Sequence, residues 1–160
     1  MALAKPVGIG RRKDIELDTA ASHLIEECRM VIPGVQALFG FQLIAVFNQG
    51  FDEKLADPVR IVHLVALILT ALSMALVMTP AAIHRIAEPM SVSERFLWMA
   101  SNLLLAGMVS LAIGVALDVF VVTTALSSSR TTGLAAGIGA LFVFFVLWLV
   151  VPRREHDRHR

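Results

Sequence analysis

Between Glu26 and Gln42 the chain reads EECRMVIPGVQALFGFQ. Two glutamates and an arginine run straight into an apolar segment that itself carries a proline, two glycines and two glutamines. Three structures fit such a stretch: a soluble amphipathic helix, a plain membrane anchor, or a membrane helix with a polar task inside the bilayer.

The rest of the chain removes the first. It has 160 residues, about one domain, with 57% hydrophobic residues, 17% charged residues and a mean hydropathy of +0.75. A soluble domain of this length could not bury so much apolar side chain. Four apolar stretches, 30–48, 59–79, 96–122 and 132–151, each approach the ~20 residues with which a helix crosses a bilayer. The expected fold class is all-α: a bundle of four transmembrane helices over 19–151, with a helical extension of the first span reaching out of the membrane. A flexible charged segment, 1–18, is expected before it and a basic tail, 152–160, after it. The N-terminus has paired arginines with no apolar run behind them, which fits neither a secretory nor a twin-arginine signal, so the first span should insert uncleaved.

The links between spans carry helix punctuation. Asp57-Pro58 places a capping carboxylate before a proline at the first helical position. Pro80 should close or kink the second span. Ser91 and Glu94 have capping-box spacing ahead of the third, and Thr131 or Thr132 can cap the fourth. The first helix should begin near Thr19, because Leu24, Ile25, Cys28, Val31 and Ile32 fall on one face at helical period. It would be roughly 45 Å long at 1.5 Å per residue, with about a third outside the bilayer.

Charge sets the expected orientation. Of the 14 lysines and arginines, all but Lys54, Arg60 and Arg130 lie on one side of this layout. Basic residues collect in the cytoplasm. Both termini should therefore be cytoplasmic, in a multi-pass protein of an inner (plasma) membrane.

Asp118 is the one acid inside a span, and an intramembrane carboxylate costs several kcal/mol unless paired or hydrated. His63 lies at a comparable depth in the second span. The two could relay protons or hold a cation; the simpler expectation is that Asp118 pairs with Arg60 or reaches the surface and so fixes helix order. Gln36, with Pro33, Ala37 and Gly40, forms a small, polar stripe that suits helix contact better than a pore lining. Gly133 and Gly137 form a GxxxG, and with Gly34 and Gly40 are candidates for close helix approach. Arg29, His84 and Arg85 are candidates for a cytoplasmic interface with lipid headgroups or a partner. His23, Glu26 and Glu27 could offer two metal ligands, but no second cluster completes a site, and solvated helix charge is the simpler reading. His156 and His159 belong to a basic tail suited to anionic lipid. The single cysteine, Cys28, forms no internal disulfide.

A bis-histidine haem needs two histidines at one depth, and only His63 lies in a span, so no cofactor is expected. No nucleophile elbow, Walker loop, HExxH or dinucleotide fingerprint is present, and an enzyme is the weakest class. The expected partners are the bilayer and a second membrane protein or copy of the chain, with no nucleic acid.

Arg29 followed by Gly34-Val35-Gln36, Leu38-Phe39 and Phe41, then Pro80 and His84-Arg85, then Asn102, Gly107 and Leu111 resembles a family of small bacterial membrane proteins known only as a domain of unknown function. The resemblance covers residues 16–122 and implies a four-helix membrane fold without a substrate; Asp118 lies outside its pattern. Two functions follow as expectations. The first is a non-catalytic accessory or scaffold protein. The second is an oligomeric channel or small transporter subunit using Asp118, His63 and Gln36.

Overall fold

A computed structural model describes residues 7–47, 56–87 and 92–158. Four long helices account for nearly all of them: α1 (Val7–Val46), α2 (Asp57–Ala87), α3 (Glu94–Ser127) and α4 (Arg130–Phe145), followed by a π-helical turn (Val146–Val150) and α5 (Val151–Arg158). No strand occurs among the described residues. Four stretches are long and apolar enough to cross a membrane: Glu16–Val46 of α1, Asp57–Ile86 of α2, Glu94–Ser127, and Arg130–Arg154, which runs from α4 through the π-helical turn into α5. The chain is a four-helix membrane bundle.

The helix ends differ from the sequence expectation in instructive ways. α1 begins at Val7 instead of near Thr19, since no proline interrupts the chain between Pro6 and Pro33. Ala56 precedes α2 and its carbonyl accepts from Val59 and Arg60, so Asp57 sits inside the first turn and bridges Arg60 at 3.5 Å instead of capping. α2 runs through Pro80 to Ala87. Ser93 caps α3, accepting from the Phe96 N–H at 3.1 Å; Ser91 lies outside the described residues. Ser129, ahead of Thr131 and Thr132, caps α4, because Ser128 takes a left-handed turn (φ 52°) that lets the chain reverse within two residues. At the far end of α4, Pro152 has no N–H for the Trp148 carbonyl. There the Val151 N–H reaches back five residues to Val146, widening the helix where the proline ring would otherwise collide.

α3 is the central element. It packs along α2 on one side and α4 on the other, while α1 lies against α2 and touches α3. The buried positions repeat every seven residues: Ala21, Cys28, Val35 and Gln42 on α1; His63, Thr70 and Val77 with Ala66, Ser73 and Pro80 on α2; Ala100, Gly107 and Gly114 on α3. A 3.5-residue period is that of helices packed along their length as in a coiled coil. Small residues set the spacing. A Cβ on Gly107 would meet Val77 Cγ2 at 2.8 Å and the Ser73 carbonyl at 3.3 Å; on Gly114 it would meet Thr70 Oγ1 at 3.1 Å and the Ala66 carbonyl at 3.3 Å. Ser110 adds a hydrogen bond across the same seam, donating to the Leu69 carbonyl at 2.8 Å. Backbones this close gain dispersion contacts that lipid tails cannot match.

These contacts make neighbouring helices antiparallel, so the starts of α1 and α3 and the end of α2 share one end (the termini end), and the end of α1, the start of α2, the end of α3 and the start of α4 share the opposite, two-loop end. At the termini end Ala21, Leu24, Cys28, Val77, Phe96, Ala100 and Leu104 form an apolar cluster. The extension of α1 is therefore held against the bundle through residues 21–28. At 40 residues α1 is roughly 60 Å long, about twice the hydrocarbon thickness. Outward-facing apolar residues such as Phe41, Ile68, Leu105 and Phe142 are exposed, as lipid contact requires.

Glycine substitutions should separate the packed positions from the open ones. Gly133→Ala would drive its methyl into Thr124 and the Phe120 carbonyl, at a cost of about 1–3 kcal/mol. Gly34→Ala meets nothing within 4 Å and should leave stability unchanged or slightly raised. Thermal unfolding in mild detergent checks both, and equal losses at the two sites would contradict this packing.

Candidate functional site

Toward the two-loop end, three helices each bring one polar side chain to a common point. Gln42 comes from α1, His63 from α2 and Asp118 from α3. His63 and Gln42 are buried, and the Asp118 side chain is 14% exposed. Thr70, two turns further along α2, is fully buried beneath them.

The hydrogen bonds fix most of the protons. A backbone carbonyl can only accept, so the 3.1 Å contact between His63 Nε2 and the Gln42 carbonyl places a proton on Nε2. His63 Nδ1 then faces Asp118 Oδ1 at 3.4 Å. The Thr70 hydroxyl donates to the Ala66 carbonyl at 3.0 Å, which leaves its oxygen to accept from Gln42 Nε2 at 3.1 Å. The second amide hydrogen of Gln42 goes to Asp118 Oδ2. The amide orientation is thereby settled, and Gln42 Oε1 remains buried without a donor.

With Nε2 committed, a neutral imidazole offers a bare lone pair at Nδ1, and an ionised carboxylate offers another. Two acceptors facing each other in a buried site repel. The contact is attractive when one proton lies between them, whether written as imidazolium–carboxylate or imidazole–carboxylic acid. In either form the pair is neutral overall, which a bilayer tolerates far better than a lone charge.

A cleft of about 320 Å³ between α1 and α3 is lined by these three residues and by apolar neighbours including Leu38, Phe41 and Val122. A second, between α1 and α2, is lined by Arg60, His63 and Leu67 among others. His63 borders both.

The other singled-out residues lie elsewhere. Gln36 is exposed on α1, off the buried face that carries Val35 and Gln42. Gly34 and Gly40 have nothing within 4 Å of a Cβ, whereas Gly133 and Gly137 are buried against Phe120, Thr124 and Ala116 of α3. Arg29 and Arg85 are exposed; His84 is half-buried, its ring centroid 5.6 Å from that of Phe96 and its Nδ1 buried without a partner. His23 approaches Glu26 at 4.0 Å on an exposed face, and no group of three metal-ligating residues occurs among the described residues. The side chain of His156 and the placement of His159 fall outside the described residues. Sequence reading passed over Gln42 and Thr70. Both were findable by the seven-residue repeat: Gln42 follows Ala21, Cys28 and Val35 on the buried face of α1, and Thr70 follows His63 on α2.

A family model described as a family of unknown function, DUF6328, matches residues 12–152, and the chain belongs to that family. No curated protein and no solved structure matches it.

The two glutamines of α1 should behave differently. Gln42→Leu removes the amide that holds Asp118 and Thr70, and should cost about 1–3 kcal/mol of stability. Gln36→Leu, at an exposed position, should be neutral within ~0.5 kcal/mol. Melting curves of the two variants in the same detergent make the comparison.

Proposed function

We infer that the protein is a non-enzymatic membrane protein whose working part is an intramembrane proton-binding site, and that it serves as a channel or small transporter subunit. The observation that carries this reading is the Nδ1–Oδ1 contact of His63 and Asp118, which calls for one proton between two titratable groups inside the span. Gln42 holds the carboxylate in place, taking the part that sequence reading had assigned to Gln36.

The site borders clefts near the two-loop end, while Val77, Phe96, Ala100 and Leu104 fill the bundle toward the termini end. A proton entering from the two-loop side would need a change of packing, or an assembly of several copies, to leave on the other. By the distribution of basic residues the two-loop end faces outward, with both termini in the cytoplasm of a cell whose inner membrane the protein spans.

A second reading, an accessory or scaffold protein, draws on α1, whose length carries it well beyond the bilayer and whose exposed residues His23, Glu26, Glu27 and Arg29 could meet a partner. In it the buried pair serves only to hold the helices in register.

Reconstitution in liposomes enclosing a pH-sensitive dye distinguishes the two. The proton reading expects proton movement that Asp118→Asn and His63→Ala each reduce at least tenfold. Flux that survives both substitutions, or no flux with a stoichiometric protein partner recovered in mild detergent, would favour the accessory reading. A reporter active only outside the cell, fused after Arg160, should stay silent.

A further inference from the structure

α4 is drawn tightly onto α3 only along its first half. Gly133 and Gly137 pack there on Phe120 and Ala116. Beyond them the chain turns bulky, and a cleft of about 280 Å³ opens between the two helices, walled by Leu105 and Val109 on one side and Phe144 and Trp148 on the other. The last two stack along it with ring centroids 4.8 Å apart. From Leu141 to Leu149 the cleft runs for about 12 Å at 1.5 Å per residue, close to half of a ~30 Å hydrocarbon core. It lies toward the termini end, away from the His63–Asp118 pair.

The π-helical turn decides what stands at the mouth of this cleft. Phe144, Trp148 and Leu149 share the cleft face, and in a regular helix Pro152 would come next on it. Because the Val151 N–H bonds the Val146 carbonyl, the turn holds one residue more than an α-turn. All that follows is set back by about 100° at 3.6 residues per turn, so Arg153 takes the place of Pro152. Arg153 and Arg154 are exposed, and neither has an ion-pair partner among the described residues. The Trp148 indole N–H, one turn further in, has no acceptor among them either. The π-helical turn and α5 make little contact with α1, α2 or α3, which leaves this end of the cleft open.

We propose that the cleft holds an acyl chain of an anionic glycerophospholipid whose phosphate is bound by Arg153 and Arg154 at its mouth. The site is separate from the proton pair and does not depend on it. Apolar walls on both sides give an acyl chain more dispersion contact than a flat helix face does. A guanidinium presents its donors in a planar fork that matches a phosphate, and tryptophan sits at the depth where the ester carbonyls lie. A second copy of the chain fits this face poorly. A two-fold axis beside it would gather the arginines of both copies, and no acid lies between Arg130 and Arg154 to separate them.

The test is quenching of Trp148 by lipids with brominated acyl chains, in the full chain carrying Trp98→Phe so that one tryptophan remains. Trp98 is exposed on α3, so its replacement leaves the bundle intact. Dibrominated phosphatidylglycerol or dibrominated phosphatidylcholine is added in rising fraction to phosphatidylcholine bilayers holding the protein. The anionic lipid should quench half-maximally at a mole fraction about fivefold lower or less, since each basic residue near an anionic surface contributes about that factor. Arg153→Gln with Arg154→Gln should bring the two lipids level. Val109→Phe, at an exposed position on the cleft wall, keeps both arginines but fills the cleft, and should do the same. Both lipids are compared on one protein, so the first result does not depend on how a variant folds. Equal quenching by the two lipids before either change overturns the proposal. A preference that survives loss of the arginines also overturns it, as does one that survives Val109→Phe, which would be attraction by the tail alone. A Trp148 that neither lipid quenches is covered by protein, and that result replaces the lipid with a second copy.

Discussion

A carboxylate inside a membrane span has to be neutralised where it stands, and in this bundle the neutralising partner comes from another helix. Asp118 on α3 meets His63 on α2, and Gln42 on α1 clamps the second carboxylate oxygen. Each of these side chains would be expensive to bury alone. Together they leave one acceptor, Gln42 Oε1, without a donor among them. The cluster fixes the relative position of three helices, because sliding any one by a residue would turn its polar group toward lipid. Polar contacts of this kind specify register in helix packing at some expense in stability.

The cluster forms because the helices that carry it can come close. Gly107 and Gly114 let α3 lie against the α2 backbone, and Gly133 and Gly137 do the same for α4 on α3. α3 is thus held from both sides, and Asp118 is presented at a set height above Thr70. α1 is held differently. Its glycines at 34 and 40 face open space, and its attachment relies on the apolar cluster around Cys28 at one end and the Gln42 hydrogen bonds toward the other. Such a helix can shift more cheaply than α3, and it is the one that forms a wall of both clefts beside His63.

Much of this was legible in the residues. Four apolar stretches of bilayer length gave the fold, and Asp118 and His63 stood out because charge and imidazole are rare in such segments. What composition could not show was which face of each helix points inward. Pro33, Gln36, Ala37 and Gly40 looked like a contact stripe by their small size and polarity, yet Gln36 is exposed and the buried stripe of α1 runs through Val35 and Gln42. Smallness is a weak guide to a buried face when large apolar side chains are equally at home against lipid. The seven-residue repeat was the stronger signal. The helix caps misled for a related reason: Ser91, Ser93, Ser129 and Thr132 all qualify chemically, and only the geometry of the turn selects Ser93 and Ser129.

The account stands on the proton between His63 Nδ1 and Asp118 Oδ1, and nitrogen NMR of histidine-labelled protein in lipid reads it directly. It predicts a His63 ring protonated at Nε2, with Nδ1 engaged in a hydrogen bond to a carboxyl group that disappears in Asp118→Leu. A His63 with bare Nε2, or with an Nδ1 whose signal is indifferent to residue 118, would contradict it.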